Sequence, residues 1–230
     1  MFKRILCAAC AAVLAAGFQM PPVLSGYAAE NTNVKNGLVN EDGYCFYYED
    51  GEPVTNSWIT VEDDTYYFGK DGRAAVESCK VKGTYYVFDQ EGKLQQPSGT
   101  KIVKVEAENG KVKKYYVNKD GKAVSGWSKD KNYYFDETGE MVTGIVVIKE
   151  KFYCFNAGGK YNKTKTQKIR KAAGYEKPLA ALLKYIGKPK KSEYYTSCYG
   201  NGKDGILTYD GYNVYTFKPV SGEEIFMGAE

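Results

Sequence analysis

The segment Lys122-Ala123-Val124-Ser125-Gly126-Trp127-Ser128-Lys129-Asp130-Lys131-Asn132-Tyr133-Tyr134-Phe135-Asp136-Glu137-Thr138-Gly139-Glu140-Met141-Val142-Thr143-Gly144 shows most clearly the unit from which the chain is built. The aromatic run at 133–135 favours an extended strand, and the glycine four residues later supplies the positive φ of a tight hairpin turn. A second short strand follows at Glu140-Met141-Val142. The same unit recurs on both sides. Aromatic pairs stand at Tyr47-Tyr48, Tyr66-Tyr67, Tyr85-Tyr86, Tyr115-Tyr116 and Tyr133-Tyr134, with Phe152-Tyr153 closing the series, at spacings of 19, 19, 30, 18 and 19 residues. Each pair precedes a turn signal: Asp50-Gly51, Asp71-Gly72, Glu91-Gly92, Asp120-Gly121, Thr138-Gly139 or Gly158-Gly159. The long interval contains an insertion at 95–108 with its own strand-like run, Ile102-Val103-Lys104-Val105.

A two-stranded hairpin is marginal in water, so one unit cannot stand alone. Hairpins stacked about a screw axis bury their aromatic faces on one another, which predicts a mainly β chain built as a hairpin-repeat solenoid over 37–160. The composition agrees: 22 Tyr, 25 Gly and no His in 230 residues, with mean hydropathy −0.50. That aromatic content argues against disorder. The missing histidine removes Ser-His-Asp and Cys-His nucleophile pairs and His-ligated zinc. No metal or cofactor is expected.

The chain opens with Lys3-Arg4, an apolar run from Ile5 to Phe18 and small residues up to Ala28-Ala29, the three parts of a secretory signal over 1–29. The run is too short for a membrane span. Export with signal cleavage, and no transmembrane segment afterwards, is the expectation. Cys45, Cys79, Cys154 and Cys198 would then remain, either as two disulfides in one of three pairings or as thiols replacing aromatics in the strands.

The repeat at 122–144 resembles the cell-wall-binding, choline-binding-type repeat of Gram-positive surface proteins, which also occurs in glucan-binding regions. The resemblance implies attachment to cell-wall polysaccharide or teichoic acid, with an aromatic cage between consecutive hairpins closing on choline moieties. Carried onto this sequence, the cage would be Trp127 with Tyr133, Tyr134, Met141 and Phe152, and a second would be Trp58 with Tyr66 and Tyr67. Only Trp127 follows a glycine; the other steps carry Cys79 with its neighbours or Ile145 in place of tryptophan. Cation–π attraction over such rings is worth about 0.5–2 kcal/mol. Stacked on a sugar, the same rings would bind glycan, and packed on one another they would only join hairpins.

Past residue 160 the period stops. Residues 160–191 hold 11 Lys and Arg against the single acid Glu176, whereas the flanking parts are each net −4. The stretch 161–176 reads as a basic linker, able to attract anionic wall polymers or to serve as a solvated spacer. The region 177–230 reads as a small α+β domain, one helix at 177–187 on three or four antiparallel strands, with Asp210-Gly211 as a hairpin turn. Its run from Gly187-Lys188-Pro189 through Ser197-Cys198 and Asp204-Gly205 to Tyr209-Asp210-Gly211-Tyr212 resembles a small module of Firmicutes secreted proteins. That resemblance implies architecture and no chemistry. Ser197 and Cys198 have no histidine to activate them, and the Gly-rich loop at 200–205 lacks both phosphate-loop and calcium-loop spacing.

The expected function is that of a secreted, non-catalytic surface protein held to the wall by its repeats. The alternative is a ligand-free solenoid presenting the C-terminal module to a protein partner, and a third reading makes that module a wall-targeted enzyme. Nucleic acid is not an expected partner.

Overall fold

The computed structural model describes residues 34–198 and 200–230; the expected signal segment lies outside them. The described chain is mainly β and is divided among many small hairpin sheets. β1 (Gly37–Glu41) pairs with β2 (Tyr44–Glu49), which also pairs with β3 (Glu52–Pro53). β4 (Ser57–Val61) pairs with β5 (Asp64–Phe68), β6 (Glu77–Val81) with β7 (Thr84–Phe88) and β8 (Lys101–Glu106) with β9 (Val112–Val117). β10 (Gly126–Trp127) pairs with β11 (Tyr134–Phe135), and β12 (Gly144–Ile148) with β13 (Lys151–Phe155). Every pairing is antiparallel.

The links between hairpins are periodic. After the second strand, Oδ1 of Asp89, Asn118, Asp136 or Asn156 accepts two backbone amides, two and four residues on, at 2.9–3.0 Å. This side-chain turn folds the chain back beside its own strand. Gln95, Val124, Val142 and Asn162 then donate to the carbonyls of Val87, Tyr116, Tyr134 and Cys154. The residue before each, Leu94, Ala123, Met141 or Tyr161, donates the other way, to Thr65, Tyr85, Lys114 or Asn132 of the preceding hairpin, at 2.7–2.9 Å. One amide row therefore closes each repeat and the next ties it to its neighbour.

Glycine is required in these turns for two reasons. Gly92, Gly121, Gly139 and Gly159 all have φ between +76° and +83°. A Cβ on any of them would fall 2.2–2.7 Å from a side-chain atom of Ala74, Leu94, Ala123 or Met141, the return residue one repeat earlier. Beneath the turns runs a column of buried positions, Phe68, Phe88, Val117, Phe135 and Phe155, each at most 2% exposed. Burial of each aromatic member contributes about 1.5–3 kcal/mol.

The ladder crosses the insertion unbroken. Ala123 donates to Tyr85 at 2.9 Å and Val87 to Gly121 at 3.0 Å, so hairpin β8–β9 stacks on β6–β7. The run at 102–105 belongs to β8, the regular first strand of a longer hairpin.

The basic stretch 161–176 is a correction to the sequence expectation, because most of it is helix α1 (Lys163–Ala172). Asn162 caps it, its Oδ1 accepting from Lys165 N at 2.9 Å. Thr166, Ile169 and Ala172, three residues apart, form a buried face beneath the exposed lysines. The Thr166 hydroxyl accepts the Cys154 amide at 3.0 Å, fixing α1 to β13. Helix α2 (Leu179–Ile186) follows, so the described residues after 160 hold two helices where the sequence suggested one.

The remaining strands, β14 (Lys191–Thr196), β15 (Gly202–Thr208), β16 (Asn213–Pro219) and β17 (Ile225–Ala229), form one antiparallel sheet in chain order. A single core joins them to both helices and to the last hairpin: Phe152, Cys154, Ile169, Leu179, Leu182, Leu207, Val214 and Phe226 pack together. This core spans residue 160, where the repeat period ends.

Tyr209 and Tyr212 lie in that core, stacked with centroids 4.9 Å apart. Burial pushes the Tyr209 phenol up to about 12 and Tyr212 higher still. An unfolded tyrosine titrates near pH 10. Both groups therefore stabilise the fold fully below that value, and the contribution is lost as pH rises through their folded values. Stability measured by denaturant should fall from about pH 10 upward, and ultraviolet titration should show a late tyrosine class. A single tyrosine transition at the ordinary value would contradict this.

Candidate functional site

Two steps between hairpins share one geometry. Trp58 on β4 stands opposite Tyr67 on β5, and Trp127 on β10 stands opposite Tyr134 on β11. The next hairpin adds a tyrosine two residues before its buried phenylalanine, and that phenylalanine. Around Trp58 these are Tyr67, Tyr86 and Phe88, at ring-centroid distances of 5.0, 4.9 and 5.8 Å. Around Trp127 they are Tyr134, Tyr153 and Phe155, at 5.4, 5.5 and 5.7 Å, and the return residue Tyr161 adds a fourth ring at 5.2 Å. These contacts are tilted or edge-on.

The structure brings together only some of the residues named from sequence. Trp127 meets Tyr134, and Trp58 meets Tyr67. Strand neighbours point to opposite faces, so the other members of each pair belong elsewhere. Tyr66 stacks on Phe68 at 6.1 Å and is 5% exposed. Tyr133 lines a separate concavity of about 540 Å³ with Ile102, Tyr116 and Asp130. Phe152 turns into the C-terminal core against Tyr212 and Phe226, at 5.8 and 6.2 Å. Met141 bridges to Phe135 and lies under Gly159. Tyr86, Phe88, Tyr153, Phe155 and Tyr161 take their places. The signal for these was the screw itself, since a step is built from two consecutive hairpins.

The register also moves one assignment. Ser78, opposite Val87, occupies the tryptophan position of hairpin β6–β7, and its hydroxyl donates to Thr138 O at 2.7 Å. Cys79 is one residue further on. Ile102 and Ile145 hold the position in β8–β9 and β12–β13. The four described cysteines are thiols rather than disulfides. Burial pushes Cys45, Cys79 and Cys154 up from the ordinary thiol value.

Rings of the array already accept cations from the chain itself. The Arg73 guanidinium lies 3.7 Å from the Tyr44 ring centroid, and that of Arg170 lies 4.1 Å from Tyr153 of the Trp127 step.

A protein-family model for a cell wall binding repeat of the choline-binding type matches residues 56–74 and 127–141. Those segments are the two units that carry tryptophan, and they run to the return residues Ala74 and Met141. The hairpins around Trp58 and Trp127 are thus similar to a cell wall binding repeat. Solved structures with similar repeats include CbpJ from Streptococcus pneumoniae TIGR4 (24% identity, TM-score 0.39, 56% of this chain and 42% of that one). Choline binding protein F from Streptococcus pneumoniae, determined with a peptidoglycan analogue, gives 27% identity and TM-score 0.37 over 56% and 41%. The pneumococcal cell wall endolysin from phage Cp-1, complexed with choline, gives 23% and 0.37 over 58% and 39%. The chain thus spans about two fifths of the length of these structures. No curated protein matches it.

Proposed function

We propose that this chain is a secreted, non-catalytic surface protein whose repeats attach it to cell-wall polymers at the Trp58 and Trp127 steps. The ligand is the choline of teichoic acid or a wall glycan. One observation carries the reading: the two segments that match the repeat family contain the two tryptophans, each set among rings from two consecutive hairpins. A quaternary ammonium is held by cation–π attraction of about 0.5–2 kcal/mol per ring, roughly 2–8 kcal/mol over four rings, a range that brackets a millimolar site. The absence of histidine supports a binding role over catalysis. The C-terminal helices and sheet form an α+β module carried by the repeats.

A second reading is favoured by the ring distances themselves. Centroids 4.9–5.8 Å apart are those of rings in mutual contact, as a rigid ligand-free spacer would have. In that case the module presents a surface to a protein partner. Tryptophan fluorescence separates the two, because Trp58 and Trp127 are the whole tryptophan content. Choline added to the full chain should change the emission saturably. Trp127→Ala should weaken that binding by roughly tenfold or more. If choline and muropeptide sugars both leave the emission flat, the spacer reading stands.

A further inference from the structure

We propose that the cleft between α1, hairpin β12–β13 and the edge of β17 docks an extended peptide bearing a carboxylate side chain. This cleft adjoins the Trp127 step, whose Tyr153 ring lies under the Arg170 guanidinium, and opens toward the C-terminal sheet. The cleft has a volume of about 640 Å³, with Lys151, Arg170, Tyr175, Tyr215 and residues 227–230 along its walls.

β17 is the last strand of its sheet, and an edge strand offers unpaired backbone groups to another chain. Part of that edge is already covered. Glu176 donates to Phe226 O at 2.8 Å, Phe226 to Lys177 O at 2.9 Å and Leu179 to Glu224 O at 2.8 Å. The covering segment runs antiparallel to β17, so past Phe226 the chain beside the edge is the end of α1, where Ala173 and Tyr175 line the cleft. There Glu230 exchanges both backbone bonds with Asn213. Alternate residues of an antiparallel strand point their backbone groups in opposite directions, so Ala229 turns its N–H and C=O away from β16. The cleft is the continuation of a strand position that this chain fills only at one end.

Arg170 supplies the charge. Its Nε donates to Phe152 O at 2.7 Å and its guanidinium lies over Tyr153, so the fork is held in place. Its Nη2 is buried and has no hydrogen-bond partner among the described residues. A guanidinium left under-satisfied on the cleft wall favours an anionic partner, and a carboxylate is the anion an extended peptide carries. Lys151 adds a second cation, and four exposed lysines, Lys163, Lys165, Lys168 and Lys171, stand on the same helix as Arg170. The acids at the cleft are Glu150 and Glu230, the latter engaged by the Tyr215 hydroxyl. A partner recognised through its backbone and one acid is an extended acidic peptide.

The test titrates the full chain with a blocked pentapeptide of alternating Val and Glu, followed by heteronuclear NMR. Saturable shifts at the amides of 227–229 and at Arg170 Nε are expected. A Gln-for-Glu peptide should bind about tenfold more weakly, and a backbone N-methylated one should not bind. Arg170→Lys should show the same tenfold loss while the β14–β16 amides stay in place. Should that variant misfold, the peptide series alone decides. The proposal fails if no peptide saturates or if the Gln peptide binds equally well. Shifts confined to the α1 lysines that vanish at high salt would also overturn it.

Discussion

Gly139→Ala is expected to destabilise the repeat array by about 2–4 kcal/mol, the sum of a left-handed backbone penalty and a core overlap. Gly139 has φ +81°, and an added Cβ would lie 2.7 Å from Ala123 Cβ, 3.3 Å from Ala123 Cα and 3.4 Å from Tyr116 O. Ala123 cannot rotate away, and two of the three atoms met are backbone. At Gly121 and Gly159 the atoms met are the ends of Leu94 and Met141, which can move, so the same change should be milder there. Gly83 is the control: φ is +87°, yet no atom of the described residues lies within 4 Å of its Cβ position. Gly83→Ala should lose only about 1 kcal/mol. Denaturant unfolding of the two variants measures the difference. Equal losses would show that the turns do not bear on the preceding repeat.

Ile169→Ala is expected to remove about 2–5 kcal/mol. Ile169 is fully buried in the core that joins α1, α2, the β14–β17 sheet and Phe152 and Cys154 of β13. Hydrogen exchange should therefore speed up in β12–β13 together with the C-terminal sheet, while β4–β7 keep their protection. Acceleration confined to 163–230 would place a boundary at residue 160, with the last hairpin independent of the C-terminal helices and sheet.

The hairpins were legible in the sequence because strand pattern and turn glycine recur together, and local chemistry suffices to read both. The screw relation was harder to use. Tyr66-Tyr67 and Tyr133-Tyr134 look like paired ligands, but the pleat sends one of each to the step before. In Tyr85-Tyr86-Val87-Phe88 an extra residue before the buried phenylalanine moves the register, so Ser78 rather than Cys79 faces the step. No spacing count could place Tyr153, Phe155 and Tyr161 around Trp127 without knowing that steps are shared between hairpins. Helix α1 was hidden by its lysines. Thr166, Ile169 and Ala172 supply a narrow inward face, and it acquires meaning only against β13.

The decisive measurement is retention of the full chain on purified choline-bearing cell walls. The chain should bind, should be released by free choline, and should remain bound at salt concentrations that screen the α1 lysines. Binding that ignores choline and disappears with salt would contradict attachment at the tryptophan steps, assigning it to the cationic helix and leaving the aromatic steps as packing alone.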